Sequence, residues 1–335
     1  MSKIKLFIII AIIFSLCSCN QNSKTKTESL NDKKESITAI NEKIRKNPKS
    51  ANLFLQRAEL YLQKNNIIEA INDMQIALKL DSLNENYYIK IAEYQMIKGD
   101  SEQGKQSLEK CLKINPKNDE AKLKLAYIYF YVQMYNKALF ELEDIETLKK
   151  QSSESYFLKA LIFDETEMYE NAIEALKLSI EYDNENWKAY ERIGLILAGV
   201  NNKLAVDYFE TAIRLFPANL EIRYNAGVVF QKFELFEKAV SEYQFVISNE
   251  PNMPEAHENL GIIYVNNIKN YNLAIEEFSK TIEIDSLDHT AYYNRGYTYE
   301  KMKNYKLAEI DYRKTLKIVP NYELAIQGLN EILEK

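Results

Sequence analysis

This chain contains few cysteine, histidine, tryptophan, glycine and proline residues, and their scarcity argues against several kinds of site and fold. There are three cysteines, two of them close to the N-terminus, so the rest of the chain cannot hold a disulfide framework. The two histidines, His257 and His289, lack metal-ligand spacing to a cysteine or to each other. Eight glycines and six prolines among 335 residues are few for a protein with many sharp turns, which favours helices joined by short connections.

Catalytic sequence motifs are missing as well. The chain has no glycine-rich phosphate loop, no G-x-S-x-G turn and no H-E-x-x-H motif. A net charge of −6 gives no general attraction to nucleic acid or to anionic lipid. We therefore predict that the protein is not an enzyme and binds no cofactor, metal or nucleic acid.

The N-terminal residues have the pattern of a secretory signal. A basic start at residues 1–5 precedes an apolar run at 6–14, too short for a bilayer span of roughly 20 apolar residues. The run ends in Leu-Cys-Ser-Cys at 16–19, which resembles the lipobox of bacterial lipoproteins. By that resemblance residues 1–18 are a signal peptide and the Cys19 thiol carries a diacylglycerol. An ordinary signal peptide with two unrelated cysteines is the alternative.

The residues after Cys19 bear on localisation. An aspartate in place of Asn20 would resemble the inner-membrane retention signal of many diderm bacteria, so its absence favours the outer membrane. Residues 19–35 are polar and lack periodicity, which predicts a flexible tether. We expect a lipid-anchored protein of the bacterial envelope, and the choice between a periplasmic and a surface-exposed face stays open.

Small residues recur through the remainder of the chain at a nearly constant spacing. The successive spacings of the first series are 34, 34, 34, 34, 33, 34 and 35 residues. A second series keeps the same phase, including the deletion near Val200 and the insertion near Asn267. The first series is Ala58, Ala92, Ala126, Ala160, Gly194, Gly227, Gly261 and Gly296, and the second is Ala70, Gly104, Ala138, Ala172, Ala205, Ala239, Ala274 and Ala308. Each unit is expected to be two helices whose small residues allow close packing, with stability coming from stacked neighbours.

This pattern resembles the tetratricopeptide repeat family, whose period is 34 residues. The resemblance covers residues 51–322 and implies an all-α, right-handed superhelical solenoid of about eight helix-turn-helix repeats. Repeat 3 departs most, with Lys122 at the usual aromatic position and Lys150 in place of proline. The repeats are assigned to 51–84, 85–118, 119–152, 153–186, 187–219, 220–253, 254–288 and 289–322.

Both ends of the array are predicted to be capped. Residues 36–48 match a lone second helix at the front, and 323–335 form a final helix. We expect four apolar side chains of that helix to face the last repeat and its polar side chains to form an outer cap. The four are Leu324, Leu329, Ile332 and Leu333.

Two residues with reactive side chains fall on repeat positions. His257 stands where the repeat prefers an aromatic ring, and we expect a packed ring there rather than a base. Cys111 stands at a small-residue position of a second helix, which predicts a buried spacer.

In tetratricopeptide solenoids the first helices line a concave groove, and mapping this chain onto them gives two candidate regions. Towards the C-terminus, Asn225, Asn259 and Asn294 share one repeat position, and Tyr224 and Tyr293 precede two of them. An amide donates and accepts, so this row resembles the asparagine ladders that bind extended peptides. Asparagine is also a common consensus residue there, and that alternative stays open.

The second candidate region lies in the middle of the array and is apolar. Tyr127, Phe157 and Leu161 represent it, and an exposed patch of this kind often marks a partner site. Packing between neighbouring first helices is the alternative. The fifth residue of every repeat is non-basic, which argues against a carboxylate clamp built on lysine.

The leading hypothesis is a membrane-anchored scaffold that binds a protein or peptide partner in its groove for the assembly of an envelope complex, and that can also associate with itself. The alternative is a helical-repeat lipoprotein that captures glycans or solutes. It has less support, because no insertion exceeds one residue and the single tryptophan, Trp187, begins a repeat. An enzyme whose chemistry the sequence does not display is a third hypothesis.

Overall fold

The computed structural model describes residues 36–334, where the regular structure consists of eighteen α-helices and a short π-helical turn, without strands. The helices are α1 Ile37–Lys46, α2 Ala51–Gln63, α3 Ile67–Leu80, α4 Glu85–Ile97, α5 Ser101–Ile114, α6 Asp119–Tyr131, α7 Tyr135–Thr147, α8 Ser153–Glu165, α9 Tyr169–Tyr182, α10 Trp187–Gly199, α11 Ala205–Leu215, α12 Leu220–Lys232, α13 Phe236–Asn249, α14 Pro254–Ile263, α15 Tyr271–Ile284, α16 His289–Lys301, α17 Tyr305–Ile318 and α18 Glu323–Leu333. The predicted all-α fold class is confirmed. The expected signal peptide at 1–18 and tether at 19–35, including Cys19, lie outside the described residues.

Consecutive helices pack as pairs. The even-numbered helices α2 to α16 are first helices of hairpins, and the odd-numbered α3 to α17 are second helices. The chain divides into two compact units, one ending at Gln151 and the other beginning at Ser152. In the first unit α1 packs on α2, and the hairpins α2–α3, α4–α5 and α6–α7 stack in order. In the second, the hairpins from α8–α9 to α16–α17 stack in order and α18 packs on α17.

The turn inside each hairpin contains one residue in the left-handed conformation, at the same repeat position throughout. Only one of the eight is glycine, Gly99, with φ +86°. The others are Asn65, Gln133, Glu167, Asn201, Glu234, Lys269 and Lys303, with φ between 59° and 62°. Asn66 N–H then donates to Tyr61 C=O at 2.9 Å, and equivalent bonds close the other turns. The scarcity of glycine therefore reflects turns built from residues that tolerate this conformation at a cost.

Most first helices begin at a side chain that caps their free N–H groups. Asn118 Oδ1 accepts from Ala121 N–H at 2.8 Å, and Asn219 Oδ1 accepts from Ile222 N–H at 3.0 Å. Asn84, Asn186 and Asp288 cap at the same repeat position. Every junction between hairpins except the one after α7 thus ends one helix and starts the next with four residues between them.

Repeat 3 ends differently from its neighbours. Its second helix α7 stops at Thr147, and Lys149 adopts the left-handed conformation with φ 56° before Lys150. No other second helix of the described repeats is followed by such a residue. Repeat 3 has Lys150 where a proline is usual, which suggested an irregular repeat. The irregularity lies at this junction, next to the boundary between the two units.

The small residue of each first helix is matched to the size of the side chain that the second helix places opposite. In repeats 5 to 8 the small residue is glycine and the opposing residue is a fully buried aromatic ring. In repeats 1 to 4 the small residue is alanine and the residue at the same second-helix position is aliphatic and buried. The glycine pairs are Gly194–Phe209, Gly227–Tyr243, Gly261–Phe278 and Gly296–Tyr312, and the alanine pairs are Ala58–Met74, Ala92–Leu108, Ala126–Leu142 and Ala160–Leu176. A ring needs the volume of the absent Cβ, so glycine stands opposite the rings and alanine stands opposite the smaller side chains.

The irregular spacings have local structural causes. The residue inserted near Asn267 is taken up by a π-helical turn, Tyr264–Ile268, at the end of α14. The deletion near Val200 coincides with α11, which at 11 residues is shorter than the 13 or 14 residues of the other second helices. The stacking of hairpins continues across both positions.

Basic and acidic side chains pair across five hairpins through the same acidic position of the second helix, and Lys122 also pairs with Asp144 at 2.7 Å. In repeats 1 and 8 an arginine in the middle of the first helix makes a bidentate contact. In repeats 3, 6 and 7 the base stands at the aromatic consensus position, which explains Lys122. The pairs are Arg57–Asp73, Lys122–Glu141, Arg223–Glu242, His257–Glu277 and Arg295–Asp311, with shortest distances of 2.7, 3.4, 2.6, 2.6 and 2.8 Å.

The C-terminal helix α18 packs through other residues than expected. Leu324 and Leu333 are 52% and 58% exposed, so our prediction that they face the last repeat is wrong. The buried contacts come from Ala325, Gly328 and Ile332, with Leu329 partly buried. Small residues are required here because the Tyr312 ring lies against α18: a Cβ on Gly328 would stand 2.7 Å from Cζ of Tyr312.

Candidate functional site

The three asparagines of the C-terminal region join successive first helices of the second unit. Asn225 Nδ2 on α12 donates to Glu191 Oε1 on α10 at 3.0 Å. Asn259 Nδ2 on α14 donates to the Tyr224 hydroxyl on α12 at 3.2 Å. Asn294 Nδ2 on α16 donates to Glu258 Oε1 on α14 at 3.2 Å. We call these three bonds the amide ladder.

Every bond of the amide ladder follows one rule. The asparagine is the sixth residue of its repeat, and its acceptor is the fifth residue of the preceding repeat. The acceptors alternate as glutamate, tyrosine and glutamate. Each ladder residue is half-buried, so one edge of its amide is held while the side chain still reaches the surface.

The two glutamates of the amide ladder carry perturbed carboxyl groups. Burial raises the pKa of Glu191, and the nearby Glu221 raises it further, against the hydrogen bond from Asn225. Burial also raises the pKa of Glu258. Sequence reasoning did not select these two residues, although the alternation of glutamate and tyrosine at the fifth position of repeats 5 to 8 was visible.

The two tyrosines of this region are half-buried and sit among other rings. The Tyr224 ring lies 5.9 Å from the Tyr243 ring. The Tyr293 ring stacks on Tyr297 and Tyr312 at 6.3 and 5.9 Å and lies 5.3 Å from the Tyr322 ring. The sequence-predicted residues of the C-terminal region therefore lie on three adjacent first helices, α12, α14 and α16, and Glu191 extends the amide ladder to α10.

The residues of the middle region fall into different units. Tyr127 lies on α6 in the first unit, whereas Phe157 and Leu161 lie on α8 in the second. All three are half-buried, and Phe157 packs against the core of the second unit. The amide ladder, which lies within one unit, is the better-defined candidate site.

His257 and Cys111 occupy the interior. His257 is 4% exposed, with Nδ1 2.6 Å from Glu277 Oε2 and Nε2 3.0 Å from the Pro251 carbonyl oxygen. Cys111 is fully buried, its Sγ 3.7 Å from the Glu85 carbonyl oxygen, and burial raises the pKa of its thiol to about 11. Neither side chain is presented to a ligand on the amide ladder.

Residues 36–334 contain neither a metal-ligand cluster nor a helix suited to cross a membrane. Among these residues no group of three or more histidine, cysteine, aspartate or glutamate side chains is placed to hold a metal ion. None of their helices combines the length and the apolar character that a bilayer crossing requires.

Comparison with known sequences identifies the repeat. Models of the tetratricopeptide repeat match residues 85–118, 153–186 and 289–322, the same limits as three of the ranges assigned from spacing. Over 155 residues the chain is 27% identical to the UDP-N-acetylglucosamine–peptide N-acetylglucosaminyltransferase of Giardia intestinalis, covering 46% of this chain and 10% of that protein. Over 180 residues it is 24% identical to the BBSome complex member BBS4 of Bos taurus, covering 53% and 34%. The chain thus spans about a third or less of the length of these relatives.

Two solved structures illustrate the structural similarity to this chain. The C-terminal part of a tetratricopeptide repeat-containing protein from Cytophaga hutchinsonii is 18% identical, with a TM-score of 0.49, covering 82% of this chain and 99% of that one. The anaphase-promoting complex hetero-tetramer Cut9–Hcn1 is 20% identical, with a TM-score of 0.49, covering 88% and 58%.

Proposed function

We propose that this chain, three segments of which are tetratricopeptide repeats, is a lipid-anchored scaffold of the bacterial envelope that binds a protein or peptide partner along its amide ladder. Tetratricopeptide repeats generally bind protein partners. The partner would be held for assembly of an envelope complex, without catalysis by this chain. The anchor would be the diacylglycerol on Cys19, with the outer membrane as the expected location.

The amide ladder is the observation that carries the proposal. Each asparagine has one N–H engaged by a neighbouring first helix, which fixes the side chain and leaves its carbonyl oxygen and second N–H for a ligand. An extended peptide offers backbone N–H and C=O groups at regular intervals, whatever its side chains. A row of fixed amides therefore suits an extended segment of a partner protein.

The glycan-capturing alternative finds less support in the arrangement of aromatic residues. Sugar-binding sites commonly use an exposed aromatic platform, and the single tryptophan is the natural candidate. The Trp187 ring instead stacks on the Phe216 ring at 5.3 Å. Thermal-shift screening against glycans tests the alternative directly, since a reproducible stabilisation by one of them would favour it.

The test of partner binding is affinity purification of the full chain from crosslinked native membranes, compared with the triple variant Asn225→Ala, Asn259→Ala and Asn294→Ala. The control triple variant is Asn136→Ala, Asn171→Ala and Asn272→Ala, which changes exposed asparagines in the first turns of second helices. We expect a protein partner that the ladder variant loses and the control keeps, with both folded by circular dichroism. If the wild-type chain captures no protein, the scaffold proposal is wrong.

The anchor is tested with a matched pair of cysteine variants. Cys19→Ser should release the protein from the membrane fraction, whereas Cys17→Ser should leave it there, because only the thiol at 19 is expected to be acylated. Retention of the Cys19→Ser protein in the membrane fraction would refute the lipid anchor. Density-gradient separation of inner and outer membranes then tests the location.

A further inference from the structure

Glu258 differs from the acids of the five cross-hairpin pairs, and from Glu191, which has Arg192 and Lys188 as basic neighbours. The acids of the five cross-hairpin pairs each have an arginine, lysine or histidine within 4 Å. Glu258 is half-buried on α14, and no basic side chain among residues 36–334 forms an ion pair with it. Its hydrogen bonds come from the neutral groups of Asn294 and Thr290. A carboxylate in this position lacks the counter-charge that the fold supplies elsewhere.

The charges around Glu258 are acidic. Asp288 caps α16 close by, and Glu255 is exposed one turn before Glu258 on α14. Burial, followed by these two acids, raises the pKa of the Glu258 carboxyl. The potential at this end of the first helices therefore favours a positive charge from outside the chain.

Arg223 and Arg295 of the same first helices pair with Glu242 and Asp311, and two lysines are engaged at the C-terminal ends of these helices. Lys232, the last residue of α12, donates to the Ala198 carbonyl oxygen. Lys301, the last residue of α16, lies over the Tyr297 ring with Nζ 4.5 Å from its centre. Neither side chain is placed to neutralise Glu258.

Two tyrosines lie near the same carboxylate. Tyr224, on the preceding first helix, accepts a hydrogen bond from Asn259, the residue after Glu258; burial raises the pKa of its hydroxyl, and the charges of Glu255 and Glu258 raise it further. Tyr322, before α18, packs against Tyr293; burial raises the pKa of its hydroxyl, and the charges of Glu258 and Asp288 raise it further. Carboxylate oxygens bordered by tyrosine rings are the groups that bind lysine ammonium and arginine guanidinium.

We propose that the amide ladder binds a basic segment of a partner protein, with a lysine or arginine side chain of that segment paired to Glu258. This inference rests on the proposed function and names the chemical class of the partner. The backbone of the segment lies along Asn225, Asn259 and Asn294, and its positive side chain supplies the counter-charge that the fold omits at Glu258. Tyr224 and Tyr322 contact the aliphatic stem of that side chain.

A random 12-residue peptide library displayed on phage is the probe, selected against the full chain. We expect selected peptides to be enriched in lysine and arginine, and their binding to weaken as ionic strength rises. In fluorescence anisotropy, Glu258→Gln should weaken their Kd by about tenfold, between the effects typical of exposed and of buried charge pairs. The glutamine can still accept from Asn294, so the amide ladder is retained.

Two controls separate the outcomes. Glu237→Gln removes a charge from the exposed first turn of α13 and should leave Kd unchanged. Tyr224→Ala reports whether a selected peptide uses the first-helix surface at all. Peptides that lose affinity with Tyr224→Ala but carry no excess of basic residues would overturn this inference and leave the scaffold proposal standing. Failure to select any peptide would also overturn it, while the scaffold proposal is decided separately by capture from membranes.

Discussion

Replacing Gly227 with alanine tests whether the aromatic rings opposite the glycines hold the second unit together. A Cβ on Gly227 would stand 2.6 Å from Cε1 and 2.9 Å from Cδ1 of Tyr243. The Tyr243 side chain is fully buried, and its hydroxyl donates to Gln231 Oε1 at 3.0 Å. The ring can relieve the contact only by leaving its rotamer or by moving α13 away from α12.

The expected magnitude is the difference between two opposing effects. Overpacking of a core costs about 1–3 kcal/mol, and contacts this short place Gly227→Ala near the upper limit. Alanine in a helix is favoured over glycine by about 1 kcal/mol. We therefore expect Gly227→Ala to lower the free energy of unfolding by about 1–2 kcal/mol.

The chain offers a matched control and a compensating change. Gly199 ends α10, is exposed, and has nothing within 4 Å of its Cβ direction, so Gly199→Ala should be neutral or stabilising by about 0.5 kcal/mol. Combining Gly227→Ala with Tyr243→Leu recreates the alanine–leucine pairs of the earlier repeats. The double variant should lose at least about 1 kcal/mol less than the sum of the two single changes, because the two positions are in contact.

The assay is equilibrium urea unfolding followed by the emission of Trp187. It is the only tryptophan and stacks on Phe216 inside the second unit, so its emission reports that unit. Circular dichroism of the same samples reports helix throughout the chain. A Gly227→Ala protein as stable as the wild type, or stabilised like Gly199→Ala, would refute the close-packing argument. Strictly additive effects in the double variant would refute the coupling.

Three further changes test other contacts. Asp311→Asn leaves Arg295 without its buried carboxylate and should cost about 3 kcal/mol in the same titration; a loss below about 1 kcal/mol would mean that solvent satisfies the guanidinium. Burial lowers the pKa of His257, but its hydrogen bonds to Glu277 and the Pro251 carbonyl outweigh that effect and raise the pKa overall. The stability it contributes is complete below the unfolded-state pKa of about 6.5 and is lost as pH rises through the higher folded-state pKa. Urea midpoints of wild type and His257→Tyr should therefore converge as pH rises, and a constant difference would contradict the assignment. Burial raises the pKa of the Cys111 thiol to about 11, so Cys111 should react with Ellman's reagent only after unfolding. Comparison with Cys111→Ser identifies the signal of this thiol. Fast reaction of the native protein would show that this part of the core opens readily.

The placement of the helices could be predicted from spacing alone. Small residues recur wherever two helices cross, so the series through Ala58 and Gly296 locates every first helix, and the missing proline at Lys150 marks the irregular junction. The periodic signal is strong because one packing requirement is repeated eight times along the chain.

Contacts between helices could not be predicted from single positions. Lys122 was an exception to the aromatic pattern until its partner Glu141 was known, 19 residues away on the next helix. At the C-terminal helix, hydrophobicity suggested Leu324, but packing against the Tyr312 ring requires Gly328. In both cases the contact is determined by the residue on the facing helix, and the repeat spacing does not identify that residue.

The candidate site could likewise be predicted from the sequence only in part. The asparagine positions follow from the repeat, and their location on adjacent first helices follows from it too. Their hydrogen-bond acceptors depend on the offset between neighbouring helices, which sets the fifth residue of one repeat beside the sixth of the next. The carboxylates of Glu191 and Glu258 could therefore be assigned to the site only from the structure.

The matching of glycine to aromatic rings and of alanine to aliphatic side chains restricts how repeats can diverge. A repeat with an alanine–leucine pair that acquires the ring first sets the ring against the Cβ, and one that first exchanges alanine for glycine leaves a cavity. A repeat such as the one containing Gly227 and Tyr243 meets the same two costs when it changes in the other direction. Either single exchange lowers stability, and the two together restore the fit. Homologous repeats should therefore rarely exchange one of these residues without the other.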